Sequence, residues 1–179
     1  MTLPTYREDG CLNVVVESPR GSAVKYKYDP RQQVMTLSRP LPVGLRYPHD
    51  WGFVAATRAP DGDPLDAMVV WDVATHPGIV LPSRAIGVLR VEQTDPRSRR
   101  RERNDRVLVL PMKAPRQDHV QSVFELPERL LDELARFFLN VVAFEGKELS
   151  IRGWGGPEEA KAAVTTASAA FDRKIDSGV

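Results

Sequence analysis

The chain has 179 residues, of which 42% are hydrophobic and 27% charged, and its formal net charge at pH 7 is +1. This length fits one domain over residues 1–179 with a real hydrophobic core, and the near-neutral charge favours neither a nucleic acid nor a membrane surface as partner. No apolar run approaches the roughly 20 residues that cross a bilayer. The single cysteine, Cys11, cannot form an internal disulfide, so we expect a cytoplasmic protein.

The first half of the chain has the pattern of short strands separated by turns. Runs of β-branched or alternating residues predict strands at 12–16, 24–28, 34–39, 51–57 and 65–70. The strict alternation over 24–28 places Lys25 and Lys27 on one face of their strand. We expect an irregular segment after Val70 and a strong strand at 86–91.

The second half adds a hairpin and two helices. The strand at 86–91 and the apolar run 107–110 predict a long hairpin whose charged tip covers 95–106. Pro127 suits the first position of a helix, which is followed by a short strand at 149–152 and a final helix that starts near Pro157. Many strands followed by two helices indicate an α+β, mainly β fold, or a small barrel with the helices packed outside.

An acidic stretch at residues 61–66 is the strongest chemical signal. Asp61, Asp63 and Asp66 fall within six residues, beside a glycine and a proline that mark a turn. Three ionised carboxylates repel each other, so a fold that gathers them needs a cation or full solvation. Oxygen ligands suit Mg²⁺ or Ca²⁺, but Leu65 stands where an EF-hand loop would need an oxygen ligand. The alternative is an acidic surface turn that closes a hairpin.

The wider pattern identifies a family. The series Asp-x-Asp-Pro-x-Asp is complete in this stretch, and other matches follow the family order over residues 12 to 172. They are Val16-Glu17, Val24-Lys25-Tyr26, Leu37-Ser38-Arg39, Tyr47-Pro48, Gly87-Val88-Leu89, Asp118-His119-Val120, Phe137-Phe138 and Gly153-Trp154. By these residues the chain resembles the soluble inorganic pyrophosphatases of family I, the magnesium-dependent type.

The resemblance implies a fold and a reaction. The fold would be an OB-like five-stranded β-barrel with two C-terminal helices packed outside, and the protein a homo-oligomer, a hexamer in bacterial members. The reaction would be hydrolysis of pyrophosphate to two phosphates with Mg²⁺, or alternatively Mn²⁺. Bridging metals neutralise phosphate charge and lower the pKa of a bound water.

The resemblance also implies roles for single residues. Asp63 would be the general base, and the metal ligands would be Asp61, Asp66 and, in an outer shell, Glu17. Substrate would be bound by Lys25, Arg39, Tyr47, Trp51 and Arg106. Each has a structural alternative: Glu17 as a solvated strand end, the two lysines of 24–28 as a solvated face, and Tyr47 as a loop anchor.

Several positions depart from the family pattern. The family has two further Asp residues that bind metal. In this chain the first of these positions falls near Glu92, Gln93 or Asp95, and the second is occupied by Asn104. Arg106 stands at a family lysine and Trp51 at a tyrosine, and Val141-Val142 replaces a Tyr-Lys pair that binds the leaving phosphate. Asp105 is adjacent but would point to the opposite face of its strand unless a bulge intervenes.

These departures leave three hypotheses: a pyrophosphatase with a remodelled phosphate clamp, a hydrolase of another phosphoanhydride such as a nucleotide, or a weakly catalytic regulatory protein that binds metal and phosphate. We favour the first, because the signature carboxylates, Lys25 and Arg39 are retained. Six arginines between Arg97 and Arg106 suggest either extra phosphate contacts, a phosphorylated or nucleic-acid partner, or a solvated loop. Without interleaved aromatic residues, we expect no nucleic-acid partner.

Overall fold

The computed structural model describes residues 3–94, 99–146 and 148–176, and it divides them into nine strands and two α-helices. The strands are β1 (Leu12–Ser18), β2 (Val24–Asp29), β3 (Val34–Pro40), β4 (Asp50–Val54), β5 (Asp66–Val69), β6 (Val80–Thr94), β7 (Arg101–Arg103), β8 (Arg106–Pro111) and β9 (Leu149–Gly155). The helices are α1 (Glu128–Val141) and α2 (Pro157–Asp176).

Five of the strands close a hydrogen-bonded ring. β1 pairs with β4, β4 with β5, β5 with β8, β8 with β6, and β6 returns to β1. Only the β5–β8 pair is parallel among these five contacts. The ring, followed by two C-terminal helices, confirms the predicted α+β, mainly β, OB-like architecture.

Both faces of the ring strands are covered, which explains their nearly continuous apolar runs. Along β8, Val107 packs with Ala160 and Val164 of α2, while the next residue, Leu108, packs with Phe138 of α1. Successive side chains of a strand point to opposite faces, so each face meets a different helix. Every residue of β8 is buried.

β6 is longer than its pattern predicts. The sequence favours an irregular segment up to 85, but the strand begins at Val80 and its first residues pair with β1. The prediction was wrong for 80–85 because Pro82, Ser83 and Arg84 break the apolar pattern, whereas the strand is held by a partner far away in the sequence. The opposite end of β6 pairs with β7 and β9.

The expected hairpin of β6 with the following strands is present, since Glu92 to Thr94 pair with β7 and residues 83–89 with β8. Of the predicted charged tip at 95–106, residues 95–98, with Asp95 and Arg97, lie outside the described residues, whereas Arg101–Arg103 form β7. Pro127 precedes the first residue of α1 instead of occupying it. In the described part of the chain, no helix combines the length and the apolar character needed to cross a membrane.

A separate two-stranded sheet, β2–β3, lies beside the ring. It carries the cationic side chains of Lys25, Lys27 and Arg39. Tyr26 N donates to Ser18 Oγ and Tyr28 N to a Glu17 carboxylate oxygen, so the end of β1 anchors β2. The pairing register shifts between Lys25 and Tyr26, next to Arg39 on β3.

Candidate active site

One cavity of about 80 Å³ contains most of the predicted site residues. Its wall is formed by β2 and β3, the 60–66 loop, β6, β8 and the C-terminal part of α1. The lining residues are Lys25, Arg39, Tyr47, Trp51, Asp61, Asp63, Asp66, Gln93, Asn104, Arg106, Phe137, Phe138, Val141, Val142 and Glu145. Eight of the nine residues predicted from the sequence are therefore brought together, Glu17 being the exception.

The carboxylates are presented by the turn that the sequence indicates. Gly62 has a φ of 88°, a left-handed conformation that glycine adopts without strain, and Asp63 N donates to Asp61 Oδ1 at 3.1 Å. Asp66 then opens β5. The Asp63 carboxylate pairs with Lys27 Nζ at 2.7 Å, and Asp61 Oδ2 accepts a 2.8 Å hydrogen bond from Asn104 Nδ2. Each of these two acids thus has a different partner across the site.

The parallel pairing of β5 with β8 brings Asp66 beside Arg106, whose Nη2 lies 4.0 Å from Asp66 Oδ2. Arg106 is only 6% exposed, its guanidinium carbon lies 5.6 Å from the centre of the Phe138 ring, and its Nη1 donates to the Asn104 carbonyl. Burial raises the pKa of Asp66, while Arg106 and Lys25 act in the opposite direction. The arginine is therefore a fixed cation in the wall of the cavity.

Two buried N–H groups at this cavity have no hydrogen-bond acceptor within the described part of the chain. They are the indole Nε1 of Trp51 and the Nε of Arg106. A buried donor without an acceptor costs about 1–3 kcal/mol, so such groups are uncommon in native proteins and mark places where a ligand or water is bound.

Lys25 and Arg39 reach the cavity from paired positions of β2 and β3. Arg39 Nη2 donates to the carbonyl of Val141 at 3.1 Å, and its guanidinium forms an ion pair with Glu145. Tyr47 is buried, with its ring stacked on Trp51 and tilted against Phe137. Burial raises the pKa of Tyr47, so its hydroxyl keeps its proton.

Glu17 lies at a neighbouring cavity together with Lys27 and Asp63. The residue is 8% exposed, and its carboxylate accepts a 2.8 Å hydrogen bond from Tyr28 N. Burial raises the pKa of Glu17 to about 7, against the effect of this hydrogen bond. It is thus separated from the main cavity, with Asp63 lining both.

Glu145 was not predicted as a site residue, and Gln93 was only one of three candidates for the first altered ligand position. Of the three candidates at the first altered position, Gln93 lines the cavity, Glu92 pairs with Arg152, and Asp95 lies outside the described residues. Asp105 lies between β7 and β8 and not on a strand as predicted, and its Oδ1 accepts a hydrogen bond from Val91 N. The signal for Gln93 is its alternation along β6; no sequence signal marks Glu145.

The donor set at the cavity is chemically suited to a hard divalent ion. It consists of the carboxylates of Asp61, Asp63 and Asp66, while Glu145 is paired with Arg39 and the amide side chains of Gln93 and Asn104 also line the cavity. Among the described residues, no three Asp, Glu, His or Cys side chains close around a single point. Mg²⁺ fits this arrangement, since it usually keeps several waters and binds through one or two carboxylates plus substrate phosphate.

Comparison with known proteins places this cavity in context. The family model for inorganic pyrophosphatase matches residues 14–172. The inorganic pyrophosphatase of Synechocystis sp. is 40% identical over 152 residues, 85% of this chain and 86% of the relative. That of Nostoc sp. is 37% identical over 169 residues, 94% of this chain and 96% of the relative.

The fold comparison agrees with the sequence comparison. The crystal structure of inorganic pyrophosphatase from Thermus thermophilus matches with a TM-score of 0.87 and 32% identity, covering 96% of this chain and 97% of that one. The chain belongs to the inorganic pyrophosphatase family.

Proposed function

We propose that this protein hydrolyses inorganic pyrophosphate to two phosphates in a reaction that requires Mg²⁺, which Mn²⁺ can replace. The observation that carries the proposal is that one cavity contains three aspartates, cationic side chains and two buried N–H groups for which the described residues provide no acceptor. Carboxylates attract metal ions, and the N–H groups attract phosphate oxygens.

The size of the cavity favours a small inorganic substrate. Sites for drug-sized organic ligands have volumes of roughly 300–1,000 Å³, well above the 80 Å³ of this cavity. A pyrophosphate ion is therefore a better match than a nucleotide.

The charges of the cavity support metal dependence. Its lining has four carboxylates, Asp61, Asp63, Asp66 and Glu145, against three cations, Lys25, Arg39 and Arg106. Lys27, which pairs with Asp63, brings the cations to four, so the charges of the site cancel and leave no net positive charge to attract a polyanion such as pyrophosphate. A divalent ion held by Asp61 and Asp66 would make the balance positive, and it would supply an acidified water and neutralise phosphate charge.

The other residues at the cavity would act on the attacking water and on the phosphate oxygens. Asp63 would accept the proton of the attacking water as general base, with Lys27 holding its carboxylate in place. Lys25, Arg39 and Arg106 would bind phosphate oxygens, and Trp51 would donate to them as well. Arg106 would use its Nε and Trp51 its Nε1, the two N–H groups that have no acceptor among the described residues. The Tyr47 hydroxyl would donate a further hydrogen bond, and Glu17 would act on the metal only from an outer shell. We also propose that the protein acts in the cytoplasm and forms a homo-oligomer, which the family resemblance implies is a hexamer.

The test is phosphate release from pyrophosphate, with Mg²⁺ and with a chelator, for the wild type and Asp63→Asn. We expect metal-dependent release at about 1–10³ s⁻¹ in the wild type and a loss of about 10²-fold or more in the variant. Asp132→Asn is the matched control, because Asp132 is exposed on α1 and outside the cavity. The proposal is contradicted if Asp63→Asn keeps full activity, or if the chelator leaves the rate of phosphate release by the wild type unchanged.

A second candidate is hydrolysis of another phosphoanhydride. Its support is the apolar part of the wall, where Val141 and Val142 lie next to Phe137 and Phe138. A substrate panel with nucleoside diphosphates and triphosphates distinguishes the two functions. A kcat/KM highest for pyrophosphate rejects the second candidate.

A further inference from the structure

Arg39, one of the proposed phosphate ligands, is held by the segment that follows α1. Its guanidinium donates to the Val141 carbonyl at the end of the helix and forms an ion pair with the Glu145 carboxylate, four residues further on. The two side chains of the pair are 25% and 21% exposed, so the contact is largely covered. The end of β3 is thereby tied to the end of α1.

Glu145 also lines the cavity itself, beside the residues to which we assign substrate binding. A carboxylate and a phosphate are recognised by a guanidinium in the same way, through two oxygens that accept hydrogen bonds from its N–H groups. Glu145 thus offers Arg39, inside the site, the same type of acceptor that a substrate phosphate offers.

We propose that Glu145 is a positioning residue for Arg39 that competes with bound phosphate groups and so lowers the affinity of the site for substrate and product. This inference rests on the proposed function for the role of Arg39. An incoming anion that binds Arg39 has to displace the Glu145 carboxylate, so its binding loses the free energy of the Arg39–Glu145 pair.

The same competition acts on the product. When the product phosphate leaves Arg39, the Glu145 carboxylate can return to the guanidinium, so Glu145 favours product release. Its removal should strengthen phosphate binding.

The test compares Glu145→Gln with the wild type by calorimetric titration of inorganic phosphate, with Mg²⁺ present. The amide keeps the size of the side chain but loses the charge. We expect the Kd for phosphate to fall about three- to tenfold, the range set by a partly covered ion pair. The inhibition constant of phosphate should fall by the same factor, and the KM for pyrophosphate should fall as well.

Glu148→Gln is the matched control, since Glu148 is exposed and outside the cavity. Its phosphate Kd should equal that of the wild type. Glu145→Ala, in which no side-chain acceptor is left for Arg39, should reproduce the tighter binding. An unchanged or higher phosphate Kd in both Glu145 variants overturns the inference.

A titration with Mg²⁺ alone separates this role from metal binding. We expect equal Mg²⁺ affinity in Glu145→Gln and the wild type, and weaker affinity in the variant would make Glu145 a metal ligand and overturn the inference. If the wild type releases no phosphate from pyrophosphate but Glu145→Gln still binds phosphate more tightly, the proposed function fails while the inference holds. If neither protein binds phosphate, the inference fails.

Discussion

The side-chain amide of Asn104 donates a 2.8 Å hydrogen bond to the Asp61 carboxylate, so a neutral group from the link between β7 and β8 supports the acidic turn. Asn104→Asp replaces the donor by a second carboxylate. Without metal, we expect the free energy of unfolding to fall by about 1–3 kcal/mol, because a hydrogen bond is exchanged for a repulsion. With excess Mg²⁺ the loss should shrink, since an ion between two carboxylates is bound more tightly.

Urea unfolding in chelator and in Mg²⁺ measures how much stability Asn104→Asp loses without the metal and how much of that loss the metal restores. Gln121→Glu makes the same charge change at an exposed position outside the cavity and should show no such Mg²⁺ effect. An equal loss of stability in both solutions would argue against a metal next to Asp61.

A side chain that binds phosphate can be introduced into the apolar wall of the cavity at the end of α1. Val142 is partly buried and lines the cavity, and a cation at a helix C-terminus is favourable. Val142→Lys should raise kcat/KM for pyrophosphate about tenfold, since one well-placed donor contributes up to about 10²–10³. Val142→Met is an apolar control of similar length. Steady-state kinetics check the difference, and a Lys variant no faster than the Met variant rejects it.

The buried carboxylate of Glu17 makes stability depend on pH. Its pKa of about 7 in the folded protein lies above the ordinary value of 4.5, so between these values the folded state binds more protons than the unfolded chain. The free energy of unfolding therefore falls as pH rises through this window. Glu17→Gln removes this loss and keeps an oxygen for Tyr28 N, so above pH 7 the variant should be more stable by about 2–3 kcal/mol.

Denaturant unfolding across this pH range, in chelator, tests the Glu17 prediction. The curve of Glu17→Gln should be flatter than that of the wild type, whereas Glu148→Gln, at an exposed position, should leave the slope unchanged. Parallel curves for Glu17→Gln and the wild type would show that Glu17 does not titrate in this window.

Gly52 allows β1 and β4 to approach each other beside Trp51. A Cβ at this position would lie 1.8 Å from the Val15 carbonyl oxygen, which is backbone and cannot move aside alone. Gly52→Ala should lower the free energy of unfolding by about 3 kcal/mol or more. Gly156→Ala is the control, because its nearest contact would be an ordinary 3.4 Å. Thermal unfolding compares the two, and equal stability would contradict the structure.

The parts of the fold that the sequence predicts are those with a local cause. The acidic turn depends on Gly62 and its neighbours, and the buried stripe of α1 follows from helical spacing of residues such as Leu134 and Phe138. The first half of β6 has no local cause, because Pro82 and Ser83 are held in the strand by pairing with β1. Distant pairing leaves no pattern within the segment itself.

The same distinction applies to the site. Asp61, Asp63 and Asp66 are neighbours in the chain, so their proximity is visible in the sequence. Gln93 remained one of three candidates because the loop after it is longer than in the family pattern. Glu145 lies at the cavity because it forms an ion pair with Arg39, a residue of β3 that is far from it in the sequence. Only the tertiary structure brings these two residues together.

The parallel pairing of β5 with β8 constrains the order of events during synthesis and folding. Asp66 and Arg106 meet across this pair, but parallel neighbours cannot be joined by a tight turn, and the chain between them runs through β6 and β7. Contacts between distant segments form slowly. A nascent chain that has not yet emerged as far as β8 therefore has the acidic turn without its arginine, and the ability to bind a ligand between these residues arises only when the ring is complete.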